Sequence, residues 1–444
     1  MTSPYMTKAE LAAIKPEILA NPAESLQRAR ERVERAGQWL PGQAMGRRFP
    51  VGCVALEITQ RCNLDCTLCY LSELSEAVRD LPLAEIFRRI ETIHRMYGPM
   101  TEIQITGGDP TLRKEEELIA IVARVRALGM RPSLFTNGIR ASRALLTKLR
   151  DAGLVDVAFH VDTTQKRKGY ASERDLNALR EEYIRRARGL HLSILFNTTV
   201  HAGNFHEMPE LVRFFVTQAA DVRLASFQLA ADTGRGIERH RPALITAETM
   251  AAQIEQGTGA MLNFDVPLIG HKKCNRYAMA LVTGGRVHDL FDRPDFVRRY
   301  LDRSAGLNFD RTRPWRACAT LAGWAVRNPW IWPGGLSWLA RKAWRMKRDL
   351  WRGRGRIHKL SFFIHNFMDA CRLERDRIES CVFMAATADG PLSMCLHNAR
   401  RDEFITAPFS IDGEAWMPLG APGEDAKARV PAKGRMRRTE QAAL

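Results

Sequence analysis

The chain has 444 residues, 45% hydrophobic and 26% charged, the balance of an ordinary folded protein with room for two domains and a large core. Its 67 Lys and Arg against 50 Asp and Glu leave a net charge of +17, which points to an anionic partner: nucleic acid, an anionic lipid surface or a phosphorylated substrate. No stretch of about 18 uninterrupted apolar residues is present to span a bilayer, and the polar opening with Thr2, Ser3, Pro4, Lys8 and Glu10 does not read as a signal peptide. Nine cysteines, odd in number and without secretory context, favour metal ligation in a reducing, cytoplasmic compartment over disulfides.

Residues 1–50 read as a helical preface, in which Pro22-Ala23-Glu24-Ser25-Leu26 leads into an amphipathic segment from Arg28 to Trp39. Cys53 opens the first strand and reads as a buried strand residue. After the apolar run Val54-Ala55-Leu56-Glu57-Ile58 comes Cys62-Asn63-Leu64-Asp65-Cys66-Thr67-Leu68-Cys69, with cysteines at i, i+4 and i+7. Four thiolates would complete a zinc site or an ordinary iron–sulfur cluster; here three are offered, and no other Cys follows for about 200 residues. A half zinc site or three core cysteines is the plain alternative. Three thiolates on a [4Fe–4S] cluster leave one iron open to bind and activate a ligand.

A C-x3-C-x2-C loop behind a strand near the N-terminus resembles the radical S-adenosylmethionine (SAM) superfamily. The resemblance implies that SAM chelates the open iron, and that reduction of the cluster releases a 5′-deoxyadenosyl radical that abstracts hydrogen. It also implies a reducing donor of flavodoxin or ferredoxin type.

From residue 51 to 260 strand-like and helix-like segments alternate, with strands expected at 54–59, 102–105, 132–135, 155–161, 192–199 and 223–229. Helices are expected at 83–96, 114–128, 142–152, 174–188, 207–219 and 246–256. This is an α/β pattern, six units closing into a partial (β/α)6 barrel whose chemistry gathers at the C-terminal strand ends. Thr106-Gly107-Gly108-Asp109-Pro110-Thr111 follows the second strand. It is similar to the superfamily's Gly-Gly-Glu motif with Asp in place of Glu, which implies that Gly107, Gly108, Asp109 and Thr111 position SAM. Asn137 ends the third strand and Asn197 the fifth, both polar groups within reach of SAM. His160 and Asp162 end the fourth and are the candidate catalytic pair, although a His at a strand end is more often structural.

The alternation stops near 260, and 261–420 reads as a C-terminal extension carrying Cys274, Cys318, Cys371, Cys381 and Cys395, five cysteines in 122 residues. A hairpin around Asp389-Gly390 would bring Cys381 and Cys395 to one end, where Cys274 could join them around an auxiliary [4Fe–4S] cluster, with Cys318, Cys371 or no residue as fourth ligand; individually buried free cysteines are the plain alternative. Trp315 to Lys359 holds seven of the nine tryptophans, and on a helix from Leu336 to Trp351 the residues Leu336, Leu339, Ala340, Ala343, Leu350 and Trp351 share one face opposite Arg341, Lys342, Arg345, Arg348 and Arg352. Such a helix suits an interfacial membrane segment at the inner face of the membrane, or a core-packed helix with a solvated face; RNA is the weaker fit. Residues 421–444 read as a disordered basic tail.

His365-Asn366-Phe367-Met368-Asp369-Ala370, Arg377-Ile378-Glu379-Ser380-Cys381 and His160-Val161-Asp162-Thr163-Thr164-Gln165 narrow the resemblance to the tetraether and membrane-spanning lipid synthases. That implies hydrogen abstraction from a membrane-lipid tail, for C–C bond formation or another tail modification. The competing readings are radical SAM methylation or maturation of a peptide, RNA or pterin-like substrate, and a non-enzymatic iron–sulfur or zinc adaptor.

Overall fold

A computed structural model of the chain describes residues 4–238, 244–307, 309, 314–411 and 413–419. The tail expected over 421–444 lies outside the described residues. Two helices precede the sheet, α1 (Lys8–Ala13) and α2 (Pro22–Arg35). Asn21 caps α2 by accepting from the Glu24 N–H at 3.0 Å, and Pro22 fills the first turn, where its missing N–H costs nothing.

Six strand–helix units follow: β1 (Cys53–Thr59), α3 (Leu83–Tyr97), β2 (Glu102–Gly107), α4 (Glu115–Ala127), β3 (Arg131–Thr136), α5 (Arg143–Asp151), β4 (Asp156–His160), α6 (Asn177–Ala187), β5 (Ser193–Val200), α7 (Met208–Thr217), β6 (Val222–Leu229) and α8 (Ala247–Thr258). The strands pair in parallel in chain order, as the alternation predicts. Ile86, Ile90 and Ile93 recur at i, i+4 and i+7 on α3 and pack with Val54, Leu56 and Ile58 of β1, all at most 1% exposed.

Beyond α8 the chain returns to the same sheet with β7 (Asn275–Thr283) and β8 (Arg286–Asp289), then α9 (Pro294–Arg303), α10 (Pro314–Arg327), α11 (Ile331–Arg352) and β9 (His358–Asn366). It continues through α12 (Arg375–Glu379), β10 (Phe383–Thr387), β11 (Gly390–Ser393), α13 (Met394–Ala399) and α14 (Arg401–Thr406), and ends in the small hairpin of β12 (Phe409–Ile411) and β13 (Glu414–Trp416). β9 adds in parallel to β6, and β10 adds in parallel to β1. The C-terminal segment thus covers both edges of the six-strand core in an 11-stranded sheet, satisfying edge N–H and C=O groups that would otherwise stand open. The apolar run Leu360-Ser361-Phe362-Phe363-Ile364 of β9 fits a buried strand or a buried helix equally by periodicity, so the sequence alone does not announce it.

The barrel is hollow. β2 alternates, with Ile103 and Ile105 turned to the helices and Gln104 and Thr106 to the interior cavity. Several inward positions are small, Ala55, Ala158, Ser226 and Ala385, beside the larger Phe135, Leu195 and Phe363 in register with them. Closed barrels put bulky Val, Ile and Leu there and fill the space.

The segment around α14 is tied to the core by a buried ion pair, the Arg401 guanidinium donating at 2.6 and 2.8 Å to both oxygens of Glu57, with Gln60 donating a third bond at 2.8 Å. Burial alone would raise the Glu57 carboxyl, but Arg401, His397 and these donors hold it at about 2. Burial likewise pushes the neighbouring His397 down to about 4. Two outcomes follow from this layer. Arg401→Met, which leaves Glu57 buried without its cation, should lower unfolding stability by about 3–5 kcal/mol in urea titration. The unfolded chain binds a proton at His397 below about 6.5 and the native chain does not until about 4. Stability should therefore fall by up to about 1.4 kcal/mol per pH unit across that window, and further below about pH 4.5 as Glu57 protonates in the unfolded chain. His397→Gln should flatten the upper part of that fall.

Candidate active site

The Cys62–Cys69 loop carries no regular secondary structure, so its shape must come from its neighbours. Three strand-end segments clamp it by backbone bonds. After β2, the Gly108 N–H donates to Thr59 O at 2.9 Å and the Asp109 N–H to Arg61 O at 2.8 Å; after β4, Thr164 O accepts from the Thr67 N–H at 2.9 Å. After β6, the Gly236 N–H donates to Cys69 O at 2.9 Å and the Arg235 N–H to Leu71 O at 2.8 Å. The Tyr70 hydroxyl closes the ring by donating to Gly107 O at 2.5 Å. These approaches leave no room for side chains: a Cβ on Gly107 would stand 2.0 Å from Thr59 O, and one on Gly108 1.9 Å from Arg61 O. Gly234 and Gly236 are pressed equally closely against Tyr70 O and Cys69 N.

Cys62, Cys66 and Cys69 open onto one cavity of about 240 Å³ at the C-terminal end of the barrel. The Asn137 amide lies 3.9 Å from the Cys62 sulfur, and the Arg235 side chain hydrogen-bonds Cys69. Burial raises the thiols of Cys62 and Cys66, so the thiolate form is stable there only against a cationic centre, which is what an iron cluster supplies. The residues present fit such a group.

Gly107, Gly108, Asn137, His160 and Asn197 line the same cavity, beside Thr106, Thr199 and Gln228. Asp109, Thr111 and Asp162 do not line it. Asp109 is fully buried and its carboxylate is consumed inside the loops, accepting from the Thr111 N–H at 3.0 Å and, across to the end of β3, from the Thr136 hydroxyl and the Asn137 N–H at 2.8 Å each. Asp162 repeats the device one strand pair further on. It accepts from the Thr164 N–H at 3.0 Å and the Thr199 N–H at 2.8 Å, and holds His160 at 2.7 Å. Burial would raise its carboxyl, but His160 and these donors keep it far below the usual range, ionised at any working pH. Both Asp–x–Thr turns therefore fix strand ends, and His160 reaches the cavity in an orientation set by Asp162 and by Thr199 at 3.1 Å.

Cys274, Cys381 and Cys395 come together around a second, smaller cavity from three elements: just before β7, just before β10 and on α13. The Arg377 Nε donates to the Cys274 sulfur at 3.1 Å, and burial pushes that thiol up to about 11 despite the guanidinium. Cys318 stands exposed on α10 and does not line this cavity, and Cys371 is also exposed. Among the described residues no three His, Cys, Asp or Glu side chains are grouped tightly enough to hold a single metal ion. Thiolates on a four-iron cluster stand wider apart than the ligands of one ion. Sequence reasoning missed Glu57, Tyr70, Arg235, His397 and Arg401 at the main site; the signal available for one of them was Gly234-Arg235-Gly236 placed just after the sixth strand.

The glycine clamp makes a direct expectation. Gly108→Ala should displace the cluster loop and lower bound iron per chain by one four-iron cluster after anaerobic reconstitution, while Gly306→Ala, whose Cβ meets nothing within 4 Å, should bind iron like the wild type.

Residues 56–215 match the family model of the radical SAM superfamily. The chain is 28% identical to the 7,8-dihydro-6-hydroxymethylpterin dimethyltransferase of Methanocaldococcus jannaschii over 41% of its own length and 37% of that protein's. It is also 28% identical to the PqqA peptide cyclase of Bradyrhizobium diazoefficiens, over 38% of its own length and 44% of the relative's. It thus spans less than half the length of these curated relatives. Among solved structures, SuiB of Streptococcus suis bound to its precursor peptide SuiA superposes with a TM-score of 0.33 at 16% identity, over 49% of this chain and 47% of that one. The cysteine loop, the strand-end cavity and the family match agree in making residues 56–215 a radical SAM superfamily domain, of the kind that works with a [4Fe–4S] cluster and S-adenosylmethionine.

Proposed function

We propose that the protein docks on an anionic membrane surface and abstracts hydrogen from a lipid tail, leading to C–C bond formation or another modification of the tail. One observation carries this reading: α11 leaves leucine and tryptophan side chains uncovered. A helix packed on a core buries its apolar stripe and shows its charges. Here Lys342 and Met346 are the buried residues, with Lys342 paired to Asp292 at 2.9 Å, while Leu336, Leu339, Trp344 and Trp351 are 56–84% exposed. Exposed Lys347, Arg348 and Arg352 flank that apolar face, and Trp315 and Val326 of α10 add 67% and 70% exposed apolar surface. Indoles at headgroup depth beside cations facing anionic lipid are a membrane-interface arrangement. No helix among the described residues is long and apolar enough to cross a membrane.

In this reading Cys62, Cys66 and Cys69 hold the cluster, and the backbone of Gly107 and Gly108 with Asn137 and Asn197 surround SAM. Bound together, these two groups supply a hydrogen-atom acceptor strong enough for an unactivated C–H bond. His160, oriented by Asp162 and Thr199, presents one polar edge at the cavity wall. Cys274, Cys381 and Cys395 would hold an auxiliary cluster, for which Cys318 is displaced as a ligand by its position on α10. A reducing donor of flavodoxin or ferredoxin type would supply the electron.

The second reading is modification of a peptide or a pterin-like substrate, favoured by the named activities of the relatives. Docking separates the two. The protein should sediment with vesicles containing anionic lipid and not with zwitterionic ones. Lys347→Ala/Arg348→Ala/Arg352→Ala should weaken this roughly 100-fold, at about 1 kcal/mol per basic residue near the surface. Trp344→Ser/Trp351→Ser should weaken it while leaving SAM cleavage by dithionite-reduced enzyme in place. Equal sedimentation of all variants would remove the membrane reading and leave the peptide or pterin one.

A further inference from the structure

The cluster cavity does not end at the middle of the barrel. Gln104, Phe135, Asn197, Gln228, Phe367 and Met394 line it, and the same six line a second chamber of about 520 Å³ below. This lower chamber runs to the opposite end of the barrel, the N-terminal ends of the strands, where Met100 before β2, Arg131 at the start of β3 and Leu224 near the start of β6 surround it. Its floor is built by the N-terminal preface, through Pro22 and Leu26 of α2 and Met45 and Phe49 of the following loop. The space exists because Ala158 and Ser226 stand where barrels ordinarily carry branched side chains, and its upper walls are Phe135, Leu195, Phe363 and Phe383.

We infer that the lower chamber is a binding site for an unbranched apolar chain, which enters the barrel lengthwise and presents a carbon to the cluster cavity at Phe367 and Met394. The position argues for it, since the two cavities share six lining residues and follow one another along the barrel axis. So does the lining. A peptide segment buried here would need partners for every N–H and C=O it carries, and the side chains of Phe135, Leu195, Phe363 and Phe383 offer none. A saturated chain has no such requirement and gains from each methylene it buries. Polar groups also line it: Gln104, Asn197, Gln228 and His365 above, Arg48, Thr101, Glu102 and Arg131 below, and the Ser226 hydroxyl between them. This inference rests on the lipid-tail reading for the source of the chain, and on the chamber alone for its chemistry.

The test is displacement of a fluorescent conjugated-polyene fatty acid from the iron-loaded full-length protein by saturated fatty acids of increasing length. Affinity should rise about fourfold per added methylene until the chamber is filled. Ala158→Phe, which fills the chamber at mid-height, should weaken probe binding at least about tenfold, in line with several methylenes excluded. Should that variant fail to hold iron, Leu224→Trp on β6, two strands away in the same register, fills the chamber from the other side and gives the same reading. Vesicle sedimentation of the same variants separates the two claims. Lost chain binding with intact docking supports the chamber. Chain binding by a wild-type protein that ignores vesicles keeps the chamber and removes the membrane reading. Probe binding unchanged by both substitutions, or affinity independent of chain length, overturns the chamber.

Discussion

The whole site depends on an irregular loop being held by its neighbours' backbones. Eight residues from Cys62 to Cys69 contain no helix or strand to fix the spacing of three sulfurs, and a cluster with one open iron tolerates little drift in its ligands. The fold answers with hydrogen bonds from the segments after β2, β4 and β6, at distances that only glycine permits at positions 107, 108 and 236. Because those segments are themselves strand ends of one parallel sheet, the loop inherits the sheet's rigidity. Asp109 and Asp162 serve the same purpose one layer out, each spending a buried carboxylate on the N–H groups of its own turn and of the next strand's end.

That arrangement explains what could and could not be read from the chain. Cys62, Cys66 and Cys69 were legible because their spacing after a strand is specific, and the six units were legible because helical and strand periodicities alternate with short connections. The roles of Asp109 and Asp162 were not, since a carboxylate beside a strand end looks the same in sequence whether it faces a ligand or the backbone; only the bonds it makes decide. Arg401 was invisible for another reason: its partner Glu57 lies 344 residues away, and no local pattern encodes a pair of that separation. The edge strands β9 and β10 fall between these cases, as apolar runs whose partners were not foreseeable. Cys318 shows the weakness of counting cysteines, because a residue near the others in sequence stands on a helix that points elsewhere.

Two departures from ordinary packing point the same way. α11 exposes leucine and tryptophan, and the barrel carries alanine and serine at Ala158 and Ser226, leaving a chamber beside its larger inward side chains. Each costs stability in water, the first by leaving apolar surface solvated and the second by leaving a cavity. Both costs are offset if a membrane covers the helix and a hydrocarbon chain fills the chamber. The same groups that lower stability in the isolated protein would then supply binding energy with its substrate.

The most direct measurement is isotope transfer. The reduced, cluster-loaded enzyme would be incubated with SAM and anionic vesicles whose lipids carry perdeuterated acyl chains, and the 5′-deoxyadenosine examined by mass spectrometry. The account predicts deuterium in the 5′-deoxyadenosine, dependent on Cys62, Cys66 and Cys69. 5′-Deoxyadenosine formed at the same rate without deuterium would show that the hydrogen comes from elsewhere, and would contradict a lipid tail as the substrate.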